Sequence, residues 1–498
     1  MDIEQFRKAG YQAIDRICDY YYSLEKQPVV SQVHPGYLRE ALPDHVPEQG
    51  EDFQAITDDW QKLILPGLTH WQHPNFFAYF PTACTFEGII AELYCTSAPN
   101  PGFNWSSSPA CTELEAVVMD WSAKLFGLAD HFLNSSETGG GVIQTTASDS
   151  ALVAVVAARS RYTTQHPEVK LENLVIYTTT QTHSLGVKAA LILGLECRSL
   201  NVTLEDQFAL KGITLEKALA EDTAKGKHPF VLIGTVGTTS SGAVDRLSEI
   251  GEVLKSHPSI WLHVDAAWAG VTLSCPEFRD IAQLEQINTY ADSFCTNFHK
   301  WGLVNFDAST LWVRNRKHLT DALDVTPEFL RTKHGDAGTV IDYRNWHLAL
   351  GRRFRSLKIW FVLRSYGAEG FRAYIRKTIG LSQHFVSLIQ GSPMFSLVTP
   401  PSFAMSVFRL TPALPEELSH TQAEAELDTL NRAYYARLSA RPDIFLTQTL
   451  LNGTFCVRFA VGAARTTEGH IDHAWQVLQD EAGIAVKEWE EARAKRIV

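Results

Sequence analysis

Five short apolar runs constrain this chain more than any other feature of its sequence. They are Leu174-Val175-Ile176-Tyr177, Phe230-Val231-Leu232-Ile233, Ile260-Trp261-Leu262-His263-Val264, Ser293-Phe294-Cys295 and Thr310-Leu311-Trp312-Val313. Each is short and rich in β-branched and aromatic residues, so each reads as a buried strand. Helical patterns at 184–193, 215–222 and 246–256 separate most of them. Strands without polar alternation, joined by helical crossovers, build a mostly parallel α/β sheet covered on both faces. Ligands of such sheets sit at the carboxyl ends of the strands. The chemistry is therefore to be sought just after each run.

Around this centre, 112–128 and 148–161 read as helices. Residues 3–24 set Ile3, Phe6, Ile14, Ile17, Tyr21 and Leu24 on one helical stripe between charges. That stripe needs a partner, either the chain's own core or a second subunit. Residues 27–50, rich in proline and polar residues, read as a linker. The polar stretch 324–338 holds Pro327, Gly335 and Gly338 and reads as a mobile loop, a kind that is often functional. Beyond about 366 the pattern of helices and strands (403–410, 455–461) implies a smaller α+β domain.

Composition closes off other classes. Lys plus Arg total 44 against 56 Asp plus Glu, a net charge of −12. Nucleic acid and anionic membrane surfaces call for clustered positive charge, so neither is an expected partner. The 8 cysteines include no C-x-x-C pair, which fits a reducing compartment. The first helix carries Asp2, Glu4, Arg7, Lys8, Asp15 and Arg16 instead of a signal-peptide core, and no apolar run approaches the ~20 residues of a membrane span. The expected location is the cytoplasm.

The residues after the strands carry the chemistry. Gly139-Gly140-Gly141 reads as a flexible approach to Gln144-Thr145-Thr146-Ala147-Ser148-Asp149 and the helix behind it. Free N–H groups and the helix dipole there suit a phosphate, although the same residues also suit a plain N-cap. His183 follows the first run, and Asp265 ends the third in His263-Val264-Asp265-Ala266-Ala267-Trp268. Lys300 follows the fourth, 35 positions beyond Asp265, in Thr296-Asn297-Phe298-His299-Lys300-Trp301. A lysine in apolar surroundings loses basicity and becomes a carbonyl nucleophile. Pyridoxal phosphate chemistry uses that lysine, an acid for the pyridine nitrogen, a phosphate cup and a group to stack on the ring. Each part alone is commonly structural; together, in this order, they point to that cofactor. No metal-ligand cluster is visible.

These residues stand in longer motifs. They include Gln32-Val33-His34-Pro35-Gly36-Tyr37-Leu38, His73-Pro74-Asn75-Phe76-Phe77-Ala78-Tyr79-Phe80-Pro81, Ser108-Pro109-Ala110-Cys111-Thr112-Glu113-Leu114-Glu115 and Gly351-Arg352-Arg353-Phe354-Arg355-Ser356-Leu357-Lys358. With them the chain resembles, over almost its whole length, the pyridoxal-phosphate-dependent aromatic L-amino-acid decarboxylases (group II). The resemblance implies a fold-type I architecture: an N-terminal helical segment 1–95 making dimer contacts, a large cofactor domain 96–365 and a small domain 366–498. It implies a homodimer with shared active sites. Lys300 matches the Schiff-base lysine, Asp265 the acid facing the pyridine nitrogen, and Ala267 the alanine under the ring. His183 matches the stacking histidine, also implicated in protonation. Thr146, Ala147 and Ser148 match the phosphate cup, aided by Asn297, and Thr239 matches a cofactor contact. Thr82 and His299 match positions near the substrate carboxylate. Tyr79, Phe80 and Pro81, with Trp71, match the pocket lining. Pro101 and Phe103 match residues lent to the neighbour's pocket, and Gly351 the position where plant members carry a small residue for indolic substrates and Ser for phenolic ones. Glycine leaves room for a bicyclic ring, while phenylalanine, tyrosine and dopa stay open beside tryptophan.

One position departs from the family's decarboxylases. Their loop carries a catalytic tyrosine in a P-x-Y-L context, whereas this chain reads Pro327-Glu328-Phe329-Leu330. Loss of carbon dioxide leaves an α-carbon that must gain a proton to become an amine, and a tyrosine hydroxyl can give it. Phenylalanine has no proton to give. In plant members, phenylalanine here marks aldehyde synthases, which consume O2 and release aldehyde, ammonia, carbon dioxide and hydrogen peroxide. The resemblance thus implies such a synthase, with the plain amine-forming decarboxylase as the alternative.

Overall fold

A computed structural model describes residues 1–414 and 418–497. The five apolar runs are strands, joined by two that the runs did not announce. In chain order they are β1 (Gly140–Gln144), β2 (Leu174–Thr179), β3 (Glu196–Leu200), β4 (His228–Thr235), β5 (Trp261–Asp265), β6 (Ser293–Asn297) and β7 (Ser309–Val313). They form one sheet in the order β1-β7-β6-β5-β4-β2-β3. β6, β5, β4, β2 and β3 are parallel, and β7 runs antiparallel between β6 and β1. β1 therefore points the same way as the parallel set, and the carboxyl ends of β1, β2, β4, β5 and β6 share one edge. β3 escaped the sequence because it lies at the other edge and is largely solvated, with the polar sequence Glu-Cys-Arg-Ser-Leu.

The glycine triplet is a correction. It is no flexible approach: Gly140 and Gly141 open β1, which is buried throughout. A Cβ on Gly141 would stand 2.5 Å from Met119 Cε and 2.7 Å from the Trp312 ring, and one on Gly139 would stand 1.7 Å from the His131 carbonyl oxygen. Close packing calls for Gly139 and Gly141, and Gly140 adds a φ of 158° that L side chains rarely adopt.

Helices cover both faces. Ala147–Gln165 and Leu185–Leu193 bury alanine-rich sides against one face. Pro109–Phe126 and the first half of Ser356–Gln390 lie with the larger core on the other. The smaller sheet is antiparallel: β8 (Phe395–Leu397), β9 (Met405–Leu410), β10 (Thr447–Leu451) and β11 (Thr454–Ala460), in the order β10-β11-β9-β8. Helix Ser356–Gln390 runs through the expected boundary at 365/366 and kinks beside it at Gly367, φ 64°.

The first 95 residues are less purely helical than expected. Phe77 takes a β-like place beside the smaller sheet, donating to the Phe445 carbonyl at 2.9 Å and accepting from the Ala460 N–H at 3.0 Å. Its ring stacks on Phe459 at 4.2 Å. Helix Ile3–Ser23, started by an Asp2–Gln5 capping box, buries none of its own residues. Ile3 is 75% and Phe6 59% exposed, and only Leu24 of the predicted stripe reaches the core. The segment read as a linker carries one short helix, Tyr37–Ala41. Among the described residues no helix is long and apolar enough to cross a membrane.

Gly141→Ala is expected to cost about 1–3 kcal/mol through overpacking against Met119 and Trp312. A denaturant midpoint unchanged from wild type would contradict this account of the glycine.

Candidate active site

β5 and β6 lie side by side in parallel register, Asp265 opposite Cys295. Asp265 is buried, and its Oδ1 accepts the Ala267 N–H at 2.9 Å. β6 ends at Asn297 and passes directly into the short helix Phe298–Trp301, which presents Lys300. Desolvation lowers the Lys300 pKa, and the Asp265 carboxylate opposes the shift. The result is an amine with weakened basicity beside an acid, as a carbonyl nucleophile requires. His183 follows β2 after a turn fixed by Thr179 and Thr182, with the Thr179 N–H donating to Thr182 Oγ1 at 2.8 Å. Partial desolvation lowers its imidazole pKa; Asp265 opposes that shift and Lys300 adds to it. Thus Asp265, His183 and Lys300, from three separate strand ends, act on one another.

At the end of β1 the hydroxyl-rich turn is an N-cap that leaves two backbone donors free. Thr146 is the N-cap of helix Ala147–Gln165, and its hydroxyl is committed to Asp149, as is that of Thr145. Among the described residues nothing accepts from the N–H groups of Ala147 and Ser148, or engages the Ser148 hydroxyl. Two backbone donors at the start of a 19-residue helix suit an anion. Asn297 Oδ1 is buried there without a partner among the described residues. Of the adjacent threonines, Thr238 is locked, with its hydroxyl 2.7 Å from Ser241 Oγ and accepting the Ala243 N–H at 3.0 Å. Thr239 is half-buried with its hydroxyl uncommitted among the described residues.

His299 is buried beside Lys300. Its Nδ1 accepts the Ala308 N–H at 2.8 Å, which assigns the proton to Nε2. Burial and the Lys300 charge push its pKa down to about 3, so the ring is neutral. The His299 carbonyl accepts from Thr82 Oγ1 at 2.9 Å and holds that residue alongside. Pro81 is buried, Phe80 stacks on Trp268 at 4.9 Å, and the Tyr79 ring stacks on Trp71 at 5.5 Å. Pro101 and Gly351 are exposed and Phe103 is half-buried. Phe329 sits on the turn Glu328–Leu330, 80% exposed, while Leu330 beside it is buried. The Pro101 and Phe103 carbonyls accept from the Arg352 and Arg344 N–H groups, at 3.0 and 3.1 Å.

Two further residues, with no role legible in the sequence, serve this cluster. Arg458 on β11 is buried, donates to the Tyr79 carbonyl and Thr447 Oγ1, both at 3.0 Å, and its charge further lowers the Lys300 pKa. His263, two residues before Asp265, is buried with its Nδ1 2.8 Å from Ser293 Oγ, and burial pushes its pKa to about 4. One group of possible metal ligands also assembles away from the site, on the surface: His384, Glu468 and Asp472.

The family model for the pyridoxal-dependent decarboxylase conserved domain matches residues 35–411. The chain belongs to the pyridoxal-dependent aromatic amino-acid decarboxylase family. It is 44% identical to tryptophan decarboxylase 2 of Oryza sativa subsp. japonica over 97% of this chain and 95% of that protein. It is also 44% identical to phenylacetaldehyde synthase of Arabidopsis thaliana, covering 97% and 96%. The crystal structure of Oryza sativa TDC with PLP and tryptamine superposes with a TM-score of 0.92 at 34% identity, covering 97% of this chain and 98% of that one. The cofactor of this decarboxylase-family chain is pyridoxal phosphate. The two free helix N–H groups and the weakened Lys300 amine fit it.

His263 yields a pH prediction. Its folded pKa, about 4, lies below the ordinary 6.5, so the unfolded chain binds the proton first as pH falls. Stability is fully present above pH 6.5 and is lost as pH drops toward 4, by about 3 kcal/mol in all. His263→Gln should therefore lose less stability than wild type between pH 7 and pH 4.5. Parallel stability curves for the two proteins would refute the assignment.

Proposed function

We propose that this chain converts an aromatic L-amino acid, O2 and water into the aromatic acetaldehyde, carbon dioxide, ammonia and hydrogen peroxide. The observation that carries the reading is Phe329, 29 residues after Lys300 in Pro327-Glu328-Phe329-Leu330, where the family's decarboxylases hold a tyrosine. Its similarity to an aldehyde synthase as well as to decarboxylases supports the reading.

Bound pyridoxal phosphate supplies the electron sink that lets the α-carboxylate leave as carbon dioxide. The side chains do the rest. Lys300 offers its weakened amine to the cofactor aldehyde. Asp265, steadied by the Ala267 N–H, would face the pyridine nitrogen, and Ala267 and His183 would pack against the ring. Ala147 and Ser148 hold the phosphate through N–H groups, with Thr146 setting the turn and Thr239 and Asn297 beside it. His299, carrying its proton on Nε2, offers a donor to the substrate carboxylate, with Thr82 held against it. Tyr79, Phe80 and Pro81 give the aromatic ring apolar faces.

The loop then decides the product. Phe329 fills the place of a tyrosine without its hydroxyl, so no proton is delivered from there to the α-carbon. That carbon stays open to O2, which takes two electrons and leaves as hydrogen peroxide, and water releases ammonia and the aldehyde. Two copies are needed: Pro101 and Phe103 complete the neighbour's pocket, Gly351 leaves room for the substrate ring, and the exposed stripe of helix Ile3–Ser23 pairs with its counterpart.

Purified enzyme is expected to release one hydrogen peroxide per carbon dioxide. A positioned general acid contributes about 10²–10⁴-fold, so Phe329→Tyr should make the amine dominant and drop peroxide below about 0.1 per carbon dioxide. Amine without peroxide from the unmodified enzyme would replace this reading with plain decarboxylation.

A further inference from the structure

β1 is an edge strand, and the N–H and C=O groups of Gly141 and Ile143 face away from β7. Unpaired edge groups need partners when buried. Asn134 serves Gly141 with a neutral amide: Nδ2 donates to the carbonyl at 3.1 Å and Oδ1 accepts the N–H at 3.2 Å. Ile143, two residues on, is served by two charged groups instead. Its N–H donates to Glu115 Oε1 at 2.8 Å, and Arg352 Nη2 donates to its carbonyl at 3.1 Å. Glu115 and Arg352 are themselves joined by two parallel bonds of 2.6 and 2.8 Å, with side chains only 4% and 6% exposed.

The neutral solution at Gly141 shows that charge is not required to close this edge. Buried ion pairs add little net stability over apolar replacements, but a planar bidentate fork fixes geometry. The fork here joins separate parts of the site. Ile143 lies three residues before Thr146 and the phosphate-binding turn. The Arg352 N–H donates to the Pro101 carbonyl at 3.0 Å, and Gly351 is its chain neighbour. The guanidinium lies 4.8 Å from the centre of the Tyr343 ring, on the turn that closes the Phe329 loop.

We propose that the Glu115–Arg352 pair is a positioning element, setting Pro101 and Gly351 against the phosphate cup and thereby controlling cofactor retention and substrate-ring discrimination. The discrimination half rests on the pocket assignment of Pro101 and Gly351 made under the proposed function; the cofactor half does not.

The test uses full-length Arg352→Lys and Glu115→Gln, with Arg409→Lys as control. Arg409 is a buried arginine on Glu424 and Asp428 in the small domain, away from the site. Pyridoxal phosphate affinity is read by fluorescence titration of the apo protein. Ring choice is read as the tryptophan-to-phenylalanine ratio of kcat/KM for carbon dioxide release, which is blind to amine or aldehyde product. Arg352→Lys is expected to weaken cofactor binding at least fivefold and shift the ratio at least threefold. Arg409→Lys should lower Tm while leaving both within twofold. A folded Arg352→Lys with wild-type affinity and ratio overturns the proposal, as does an equal change in Arg409→Lys. If Arg352→Lys does not fold, Glu115→Gln is judged by the same thresholds, and failure of both to fold assigns the pair to folding and overturns it. A cofactor effect without a ratio shift would overturn the discrimination half and the pocket assignment behind it, while leaving the aldehyde reading to its own assay.

Discussion

The structure depends on keeping a lysine and a carboxylate together in a buried place. Isolated burial of either charge costs several kcal/mol, and the fold meets that cost by placing an opposite charge nearby and by weakening the lysine's own. Asp265 and Lys300 stand at the ends of neighbouring parallel strands, and the desolvation that lowers the lysine pKa is opposed by the carboxylate. Parallel strands put their carboxyl ends along one edge, so β1, β2 and β4 deliver the helix-start donors, His183 and Thr239 to the same line. The cluster around Lys300 is thus a product of sheet direction before it is a product of any single residue.

The smaller sheet and the first 95 residues reach into that line from outside. Arg458 enters from β11 and holds the Tyr79 backbone, while its own burial keeps its charge close to the lysine. Thr82 is tied to the His299 carbonyl, which joins the N-terminal segment to the helix bearing Lys300. On the opposite side, Glu115 and Arg352 tie the β1 edge to Pro101. The site is therefore clamped by contacts made across the whole chain, and few of them involve residues near one another in sequence.

Much of this was legible in the residues alone. The strands of the parallel core announced themselves because both of their faces are buried, so their apolar runs are unbroken. β3 did not, because an edge strand with solvated faces keeps polar residues, and β1 did not, because its glycines mimic a loop. Lys300, Asp265 and the 146–148 turn stand out in the sequence by their order after strands. His263 and Arg458 were not, since a buried polar residue in a strand carries no local mark of the partner it will meet.

By itself the sequence determined the class of sheet, the cofactor chemistry and the absence of a hydroxyl at Phe329. These follow from short-range periodicity, chain order and side-chain composition, which exist before folding. Only the tertiary structure decided which polar groups are left free for a ligand and which are already spent. Thr146 caps and Ser148 does not; Thr238 is locked and Thr239 is open; His299 keeps its proton on Nε2 because the distant Ala308 N–H occupies Nδ1. The reason is physical: a donor's availability depends on what the folded chain brings within hydrogen-bonding distance of it.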